Sequence, residues 1–566
     1  MRSRRSRSTA GNSGLSRRAF LGAGVAGGAA LLGGGLASLW PSDVAASGPI
    51  ADAVFVERTI PQLQTLMNAG DLTSLDLTRA YIKRIADLNP LLRAVIEINP
   101  NAEAIAARLD TERRQHRGLR GPLHGIPILV KDNVATDDQM QTTAGSLALV
   151  NSRVPADAVV ADRLRAAGAI ILGKANLGEW ANFRGFNPLG FYGWTARGGP
   201  THNPYLLSYS AFGSSSGSGV GAAANLCAAA VGTETDGSII GPSNANLTVG
   251  LKPTLGLISQ DGIIPISHNQ DTAGPIARTV TDVAILLGVL QSPFGPVAGH
   301  TLPVGYTQFL HRGALNGARI GVDRRFFDQY DIYGFPGDDD TLPFFTQALN
   351  TIQALGATLI DTDTGDIFAY SGDEFTALLF EFKVHIAEYL AGLQHTTMRT
   401  LADLIAFNLA HCPEELVFYG QELFEIAEST TDLTDPVYIA ARAAAQSAAR
   451  TGIDNALAAG HLDAIVAPHL TNTTAPAVSG YPNLALPVGI TASGKPAGMM
   501  MYSTFLQEPK LIGFAYDLEQ EMHVRRQPQF LGEVDDPPNA GLCDGLPKQP
   551  HVFTGKEHLP HGRIFR

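Results

Sequence analysis

Cysteine is scarce in this sequence, with three residues in a chain of 566: Cys227, Cys412 and Cys543. No two of them have the spacing of a metal-binding or thiol-redox motif. An odd number of cysteines cannot all pair within one chain. We therefore expect no metal-binding or redox role for these thiols, and a single disulfide remains possible.

Positive charge is also in short supply, because 41 Lys and Arg residues face 53 Asp and Glu residues and give a formal net charge of −12. Nucleic-acid-binding proteins present a basic surface, so we expect no nucleic-acid partner. After residue 40 the chain has no apolar run of the roughly 18 residues that a membrane span needs. We expect no stable membrane insertion once the N-terminal segment described next is removed, and the sequence leaves the oligomeric state open.

The N-terminus has the composition of a targeting signal. Its first 20 residues contain six arginines and no acidic residue, then comes a Gly/Ala-rich apolar stretch over 19–40, and "SDVAASG" follows with small residues suited to cleavage near Ala46. This charged, apolar, small-residue order is typical of export signals, and "SRRAFLG" resembles the twin-arginine signal. The sequence predicts an export signal over 1–46 and a periplasmic or secreted protein. An uncleaved membrane anchor is the alternative, and seven glycines within 22–36 argue against it.

The rest of the chain alternates between strand-like and helical patterns. The apolar run "IPILV" predicts a buried strand ending at Lys131, and the strand–helix alternation continues to about residue 290. Residues of about 330–455 are mainly helical, and strand-like runs return over 463–520. This order predicts an α/β fold around a mixed sheet, with one domain over 47–566, a helical elaboration in its middle and an extended Pro/Gly-rich tail over about 530–566.

The stretch "VGTETDGSII" places Ser238 in a small-residue loop, and the histidines nearest to it in sequence are His202 and His268. A serine nucleophile needs a base, and a neutral lysine can replace histidine in that role. Lys131, at the end of an apolar strand, is a candidate because burial lowers the pKa of a lysine. The alternative is a lysine that pairs with Asp132 or stays solvated.

The Ser/Gly-rich segment over 212–232 allows two other interpretations. Residues 213–217 fit the nucleophile elbow of α/β-hydrolases, with Ser215 as nucleophile, and residues 219–224 loosely fit a dinucleotide-binding loop. Both motifs require a buried strand immediately before them, and "LSYSAFGSS" is a poor strand. Neither interpretation is favoured.

Several ordered segments between about residues 60 and 525 resemble the amidase signature family. They are "GPLHGIPILVKDN", "MQTTAGSLAL", "GSSSGSGVGAAANLCAAAVGTETDGSI" and "SGYPNLALPVGITASGKPAGMMM". The resemblance implies the fold of that family, a large twisted mixed β-sheet covered by helices on both faces. It also implies a hydrolase of amides that needs no cofactor and no metal.

The resemblance further implies roles for individual residues. Ser238 would be the nucleophile, Ser214 a bridging serine on a cis peptide bond, and Lys131 the base that finally takes the proton. The oxyanion hole would consist of backbone N–H groups, and two side chains would support the triad; these residues are Thr235, Asp236, Gly237 and Ser238 for the hole and Ser215 and Thr233 for support. Here Asp236 and Ile240 replace the Gly and Arg that the family most often has. We expect Glu234 and Asp236 to brace the loop rather than touch the substrate.

The middle of the chain bears on the substrate. Segments such as "NLGEWANFRG" and "LADLIAFNLAHCPEELVFYGQELFE" look like bacterial peptide amidases, which release ammonia from the C-terminal amide of peptides. A small-molecule amide substrate, as for a broad aliphatic or aryl amidase or a carbamate or oligoamide hydrolase, is the alternative. An exported binding protein on an inactive scaffold would be expected to lack part of the Lys131, Ser214 and Ser238 set. Phe183, Tyr205 and Phe407 are candidate pocket aromatics, although core packing is the favoured interpretation of all three.

Overall fold

The structure is a computed structural model that describes residues 50–115, 118–186, 192–324, 339–536 and 539–543. The predicted export signal over 1–46 and the part of the predicted tail beyond residue 543 lie outside the described residues. Residues 49–566 group into one compact unit. Within the described ranges, no helix combines the length and apolarity needed to cross a membrane.

The strands are short and most are completely buried. They are β1 Val95–Ile98, β2 Pro127–Lys131, β3 Ile170–Ala175, β4 Trp194–Thr195, β5 Gly199–Pro200, β6 Ala229–Glu234, β7 Val249–Lys252, β8 Thr272–Ala277, β9 Arg319–Asp323, β10 Thr358–Thr362, β11 Ala464–Pro468, β12 Asn483–Ile490 and β13 Pro496–Tyr502.

The helices range from single turns to two of 25 residues each. They are α1 Asp52–Phe55, α2 Ile60–Ala69, α3 Ser74–Leu92, α4 Ala102–Arg114, α5 Val159–Ala166, α6 Ser216–Ala223, α7 Ile240–Ala245, α8 Val280–Leu290, α9 Leu342–Ala354, α10 Phe368–Gly392, α11 Leu401–Ala410, α12 Cys412–Glu415, α13 Glu422–Glu428, α14 Pro436–Gly460, α15 Thr474–Ser479 and α16 Glu508–Met522.

Eleven strands form one mixed sheet in the order β1-β3-β2-β6-β8-β7-β12-β13-β11-β9-β10, and β4 pairs separately with β5. Strand β2 runs parallel to β3 and β6, and β9 runs parallel to β10 and β11, whereas the central strands pair antiparallel. The pairing of β7 with β12 joins the early strands to the late ones within a single sheet. The predicted fold class, a large mixed sheet within an α/β fold, is confirmed.

Helices cover both faces of this sheet, as β12 shows. Leu484 and Leu486 pack into the core that includes α8 and α16. Ala485 lies between them in sequence and packs into the core that includes α7 and α14. Successive side chains of a strand point to opposite faces, so a strand buried on both faces must be apolar throughout. That requirement explains the continuous apolar runs "LALPV" and "AGMMM" in the sequence.

The local predictions agree with the structure. The predicted strand before Lys131 is β2, and all five of its residues are buried. Helix α3 begins after Thr73, whose hydroxyl accepts a hydrogen bond from the Asp76 amide and satisfies one of the free N–H groups of the first turn. In the predicted helical middle, α10 packs along α14, and the strand β10 lies before α10.

The described part of the tail contacts earlier segments of the chain. The Leu207 amide donates to the Leu531 carbonyl at 2.8 Å, and the Phe530 amide donates to the Pro204 carbonyl at 3.0 Å. Cys543 forms a disulfide with Cys412, the first residue of α12, while Cys227 is free and buried. The single disulfide that the sequence left possible is therefore present.

We predict that Cys412→Ser destabilises the oxidised protein. The disulfide closes a loop with a sequence separation of 131 residues, and losing such a cross-link typically lowers the free energy of unfolding by about 2–4 kcal/mol because the unfolded chain gains freedom. Denaturant unfolding with and without a thiol reductant measures the difference. The reductant should destabilise the wild type and leave Cys412→Ser unchanged; a wild type that does not respond to the reductant would contradict the prediction.

Candidate active site

Lys131 is the last residue of β2, an interior strand of the sheet, and its side chain is completely buried. Its ammonium nitrogen Nζ donates to three oxygens: Ser214 Oγ at 2.7 Å, Thr233 Oγ1 at 2.9 Å and the Thr233 carbonyl at 3.1 Å. The carboxylate of Asp132 instead accepts from the Thr143 hydroxyl at 2.6 Å. The structure therefore does not show the ion pair with Asp132 that the sequence left as an alternative.

The surroundings of Lys131 change its acidity. Burial lowers its pKa from 10.5 to about 7, although the negative charges of Asp271 and Glu234 partly oppose the change. Burial has this direction because a low-dielectric interior disfavours the charged form of the amine. A large fraction of the side chain is then neutral near pH 7, so Lys131 can accept a proton from the Ser214 hydroxyl.

Ser214 lies between β5 and α6, and the peptide bond that joins it to Gly213 is cis, as expected. Its carbonyl accepts a hydrogen bond from the Gly178 amide at 2.9 Å. A β-carbon on Gly213 would lie 2.2 Å from the carbonyl oxygen of Tyr192. The close approach of these two backbone segments therefore requires glycine immediately before the serine.

The two predicted supporting residues contact each other, and Thr233 also contacts the lysine. The Ser215 hydroxyl donates to the Thr233 carbonyl at 3.0 Å and accepts from the Thr233 amide at 3.2 Å. The Thr233 hydroxyl accepts from Lys131 and also from Asn133 Nδ2 at 3.0 Å. Sequence reasoning missed Asn133. Its position two residues after Lys131, the last residue of β2, was a usable signal.

The alternative motifs of the Ser/Gly-rich segment do not match the structure. Ser215 is completely buried and its hydroxyl is bonded to Thr233 on both sides, so it is not placed as an exposed nucleophile. Residues 219–223 of the proposed dinucleotide loop lie inside the buried helix α6, which packs against β6. The glycines of this segment thus belong to close helix–sheet packing.

Ser238 follows β6 and lies just before α7, where it lines a cavity of about 340 Å³. The same cavity is lined by Gly213, the residue before Ser214, and by Asp236 and Gly237. The Ser238 carbonyl accepts a hydrogen bond from the Ser215 amide at 3.2 Å. The structure therefore brings the Ser238 loop and the residue before Ser214 to one cavity, although Lys131, which bonds Ser214, lies more than 100 residues before Ser238 in sequence.

Residues 235–238 all line this cavity. Gly237 has φ of +73°, a conformation that favours glycine. In the described part of the chain, no protein acceptor pairs with the N–H groups of Asp236, Gly237 or Ser238. Ser238 is buried, and Asp236 and Gly237 are partly buried. Successive backbone N–H groups without a partner at the wall of a cavity have the form of a binding site for a partial negative charge.

The two carboxylates of this stretch brace the loop. Glu234 Oε2 accepts from the amides of Ile239 at 2.6 Å and Ile240 at 3.0 Å. Asp236 Oδ2 accepts from the Thr474 hydroxyl at 2.6 Å. Burial raises the pKa of both carboxyl groups. These hydrogen bonds explain why two acidic residues flank the turn, in agreement with the bracing role expected from the sequence.

A buried network from the helical middle also holds this loop, and sequence reasoning missed it. Gln270 Nε2 donates to the Thr235 carbonyl at 3.1 Å, and Gln270 Oε1 accepts from Arg442 on α14 at 2.9 Å. Arg442 in turn makes two hydrogen bonds to the carboxylate of Glu381 on α10. No local motif marks these residues, because each contact joins positions far apart in the chain.

One of the three candidate pocket aromatics lines the cavity. Phe183 does so together with Tyr192 and Phe212, whose rings stack 6.2 Å apart. Tyr205 and Phe407 are not among the described lining residues of the cavity. The Tyr205 hydroxyl instead donates to the Arg526 carbonyl of the tail, and the Phe407 ring stacks on His411 at 3.9 Å. Both act in packing, which was the favoured interpretation from the sequence.

Known proteins resemble the chain over most of its length. The family model for Amidase matches residues 76–479. The structure of the native peptide amidase from Stenotrophomonas maltophilia is 45% identical, with a TM-score of 0.78 and coverage of 84% of this chain and 99% of that one. The structure of an amidase family protein from Bacillus anthracis is 33% identical, with a TM-score of 0.78 and coverage of 85% and 94%. A probable amidase of Arabidopsis thaliana is 39% identical over 490 residues, which are 84% of this chain and 92% of the relative.

The lowered pKa of Lys131 predicts a pH dependence of stability. Between about pH 7 and pH 10.5 the unfolded chain holds a proton on this lysine and the folded chain does not. Stability must rise with pH wherever the unfolded state binds more protons. Relative to Lys131→Met, the wild type should therefore gain up to about 1.4 kcal/mol of unfolding free energy per pH unit in that window.

Urea unfolding of the wild type and of Lys131→Met between pH 7 and pH 9.5 measures this gain. The methionine variant serves as the matched control, because it keeps an unbranched side chain only one atom shorter and every other titrating group. A difference between the two proteins that does not change with pH would show that the pKa of Lys131 is not lowered.

Proposed function

Because the chain belongs to the amidase signature family and is thus an enzyme that hydrolyses C–N bonds of linear amides, we propose that it does so through a Ser238–Ser214–Lys131 relay. The observation that supports the relay most directly is the 2.7 Å hydrogen bond from Lys131 Nζ to Ser214 Oγ, since Ser214 follows Gly213, which lines the same cavity as Ser238. A buried lysine with a pKa of about 7 is a suitable general base at neutral pH.

The first step forms an acyl-enzyme. Neutral Lys131 takes the proton of Ser214, Ser214 takes the proton of Ser238, and Ser238 Oγ attacks the carbonyl carbon of the amide. When the tetrahedral intermediate collapses, the C–N bond breaks and the proton returns along the same path to the leaving nitrogen. For a primary amide the leaving group is ammonia.

The negative charge of the intermediate falls on the former carbonyl oxygen. In this proposal the N–H groups of Thr235, Asp236, Gly237 and Ser238 form the oxyanion hole. Such donors act on charge that develops in the transition state, and removing one typically slows a reaction by about 10²- to 10³-fold. The bracing by Glu234 and by Gln270 holds the backbone of the turn in place before the substrate arrives.

The second step releases the acid. A water molecule enters where the amine has left, gives its proton to Ser238 through the relay, and forms the new C–O bond. The ester bond to Ser238 breaks, and the relay returns to its starting state. The net reaction is amide plus water to carboxylic acid plus ammonia, with no redox change and no added cofactor.

We infer that the preferred substrates are C-terminal peptide amides. The solved peptide amidase covers 84% of this chain at 45% identity, and the cavity has aromatic walls at Phe183, Tyr192 and Phe212. Aromatic and apolar walls suit the side chain of a terminal residue. A broad aliphatic or aryl amidase, or a carbamate or oligoamide hydrolase, would show a different profile in the assay below.

We also propose that the protein is exported. The first 46 residues resemble a twin-arginine signal, and the Cys412–Cys543 disulfide supports a location outside the cytoplasm. Disulfides form and persist in oxidising compartments such as the periplasm.

An ammonia-release assay tests the reaction and the substrate together. We expect an amidated dipeptide to be hydrolysed with a kcat/KM at least tenfold above those of a fatty amide and benzamide. Ser238→Ala, which removes only the nucleophilic oxygen, should reduce release to background for all three. Equal rates on the three amides would contradict the peptide preference alone, whereas residual turnover by Ser238→Ala would contradict the mechanism.

The network of Gln270, Arg442 and Glu381 holds the Thr235 carbonyl, so a change at Arg442 should alter kcat. Lysine at position 442 keeps the charge but cannot bond Glu381 twice and Gln270 at once, so Arg442→Lys should loosen the Thr235 carbonyl and lower kcat by about tenfold, with little change in KM. Arg450→Lys, on the same helix α14, is the matched control because Arg450 bonds only the Ser479 carbonyl among the described contacts. A kcat equal to that of the control would show that the network does not position the loop.

A further inference from the structure

Three side chains with metal-binding atoms come together away from the triad. They are His268, His385 and Glu388, and their donor atoms all lie within 4.8 Å of one another. His268 and Glu388 are exposed, while His385 is buried beneath them. The mechanism proposed above uses none of the three.

Two different elements supply this cluster. His385 and Glu388 lie three residues apart on α10, a spacing that places both on one face of a helix. His268 comes from the turn over 266–271 that leads into β8. The imidazole rings of the two histidines lie 4.1 Å apart at an angle of 42°. Contact between rings at this distance places their nitrogens beside each other at the surface.

The two ring nitrogens of His385 have different contacts. Its Nδ1 accepts a hydrogen bond from the backbone N–H of His268 at 3.2 Å, so in the neutral ring the proton lies on Nε2. The ring is also within hydrogen-bonding reach of the Ile266 carbonyl. A metal ion can bind Nε2 when that proton moves to Nδ1, which then donates to this carbonyl instead of accepting from His268.

The carboxylate of Glu388 adds one oxygen ligand to the two imidazoles, a combination that occurs in zinc sites. Among the described contacts, Glu388 makes no ion pair within 4.0 Å with either imidazole, although its carboxylate lies within 4.8 Å of both. Ligands of a tetrahedral zinc ion, at bond lengths near 2.1 Å, lie about 3.4 Å apart. Small rotations of two exposed side chains can close that gap, because only His385 is fixed by burial.

We propose that His268, His385 and Glu388 bind one divalent transition-metal ion, with zinc the ion that best suits two imidazoles and one carboxylate. Water would complete the tetrahedron on the exposed side. Magnesium and calcium are excluded as the preferred ions, since both bind mainly oxygen ligands.

The position of the site gives the metal a structural role. The turn that carries His268 is closed by Asp271 Oδ2, which accepts from the amides of Ile266 at 2.8 Å and Ser267 at 2.9 Å. The other oxygen of Asp271 accepts from the Thr235 hydroxyl at 2.6 Å. A metal ion between His268 and α10 would therefore fasten this turn to the helical middle, immediately behind the loop that precedes Ser238.

Titration of the chelator-treated, untagged full-length protein with Co²⁺ tests the site. We expect one equivalent to give the visible absorption bands of four-coordinate cobalt, Zn²⁺ to displace them, and Zn²⁺ to raise the melting temperature of the protein, since a ligand bound only to the folded state stabilises it. Calorimetry with Zn²⁺ should give a stoichiometry of one.

Variants separate this site from binding elsewhere. His268→Asn and Glu388→Gln change exposed side chains, so both should fold, and each should weaken Zn²⁺ binding at least tenfold. His311→Asn, another exposed histidine, should bind as the wild type does. Absence of the cobalt bands, or equal Zn²⁺ affinity in Glu388→Gln and His311→Asn, would overturn the proposal.

Discussion

The burial of one lysine without a counter-ion is the constraint on which the site depends. Among the described residues, no carboxylate lies within 4.0 Å of Lys131 Nζ, and its three partners are uncharged oxygens. An ammonium group in such surroundings loses the solvation of water without gaining an opposite charge, so the neutral amine is favoured. The sheet sustains this arrangement because β2 lies between two parallel neighbours, β3 and β6, and is buried over its whole length. The same β6 carries Thr233, so the strand that buries the lysine also supplies two of its hydrogen-bond acceptors.

The buried lysine also restricts the two loops that carry Ser214 and Ser238. Ser214 must reach the lysine from a loop that passes close to Tyr192, and Ser238 must follow β6 by a turn tight enough to need Gly237. Each loop is tied to the other by the hydrogen bond from the Ser215 amide to the Ser238 carbonyl. Because these loops are already fixed, the hydroxyl groups of Ser214 and Ser238 lose little freedom when a substrate binds. A proton relay acts quickly only under that condition.

Much of the sheet and the triad could be predicted from the sequence because both are encoded locally. The apolar run before Lys131 predicts β2, and the ordered Gly/Ser-rich segments identify Ser214 and Ser238 through a family resemblance. The network of Gln270, Arg442 and Glu381 could not be predicted, since each residue alone is consistent with a solvated helix or loop. The contacts of Tyr205 depend on the tail over 525–531, which has no periodicity to place it. Local patterns therefore identify the residues of the proposed relay, whereas the groups that hold them in position depend on packing between distant segments.

Two other lysines show that burial alone does not mark a base. Lys174 on β3 and Lys252 on β7 are also completely buried, and burial lowers the pKa of each to about 8. Lys174 donates to the Val134 carbonyl and to the Thr142 hydroxyl, and Lys252 donates to the Pro253 carbonyl. None of those three acceptors is among the described lining residues of the cavity beside Ser238. Lys131 differs because the serine it contacts directly follows Gly213, which lines that cavity. A lowered pKa makes a lysine able to accept a proton, and only the position of its hydroxyl partner connects that ability to a substrate.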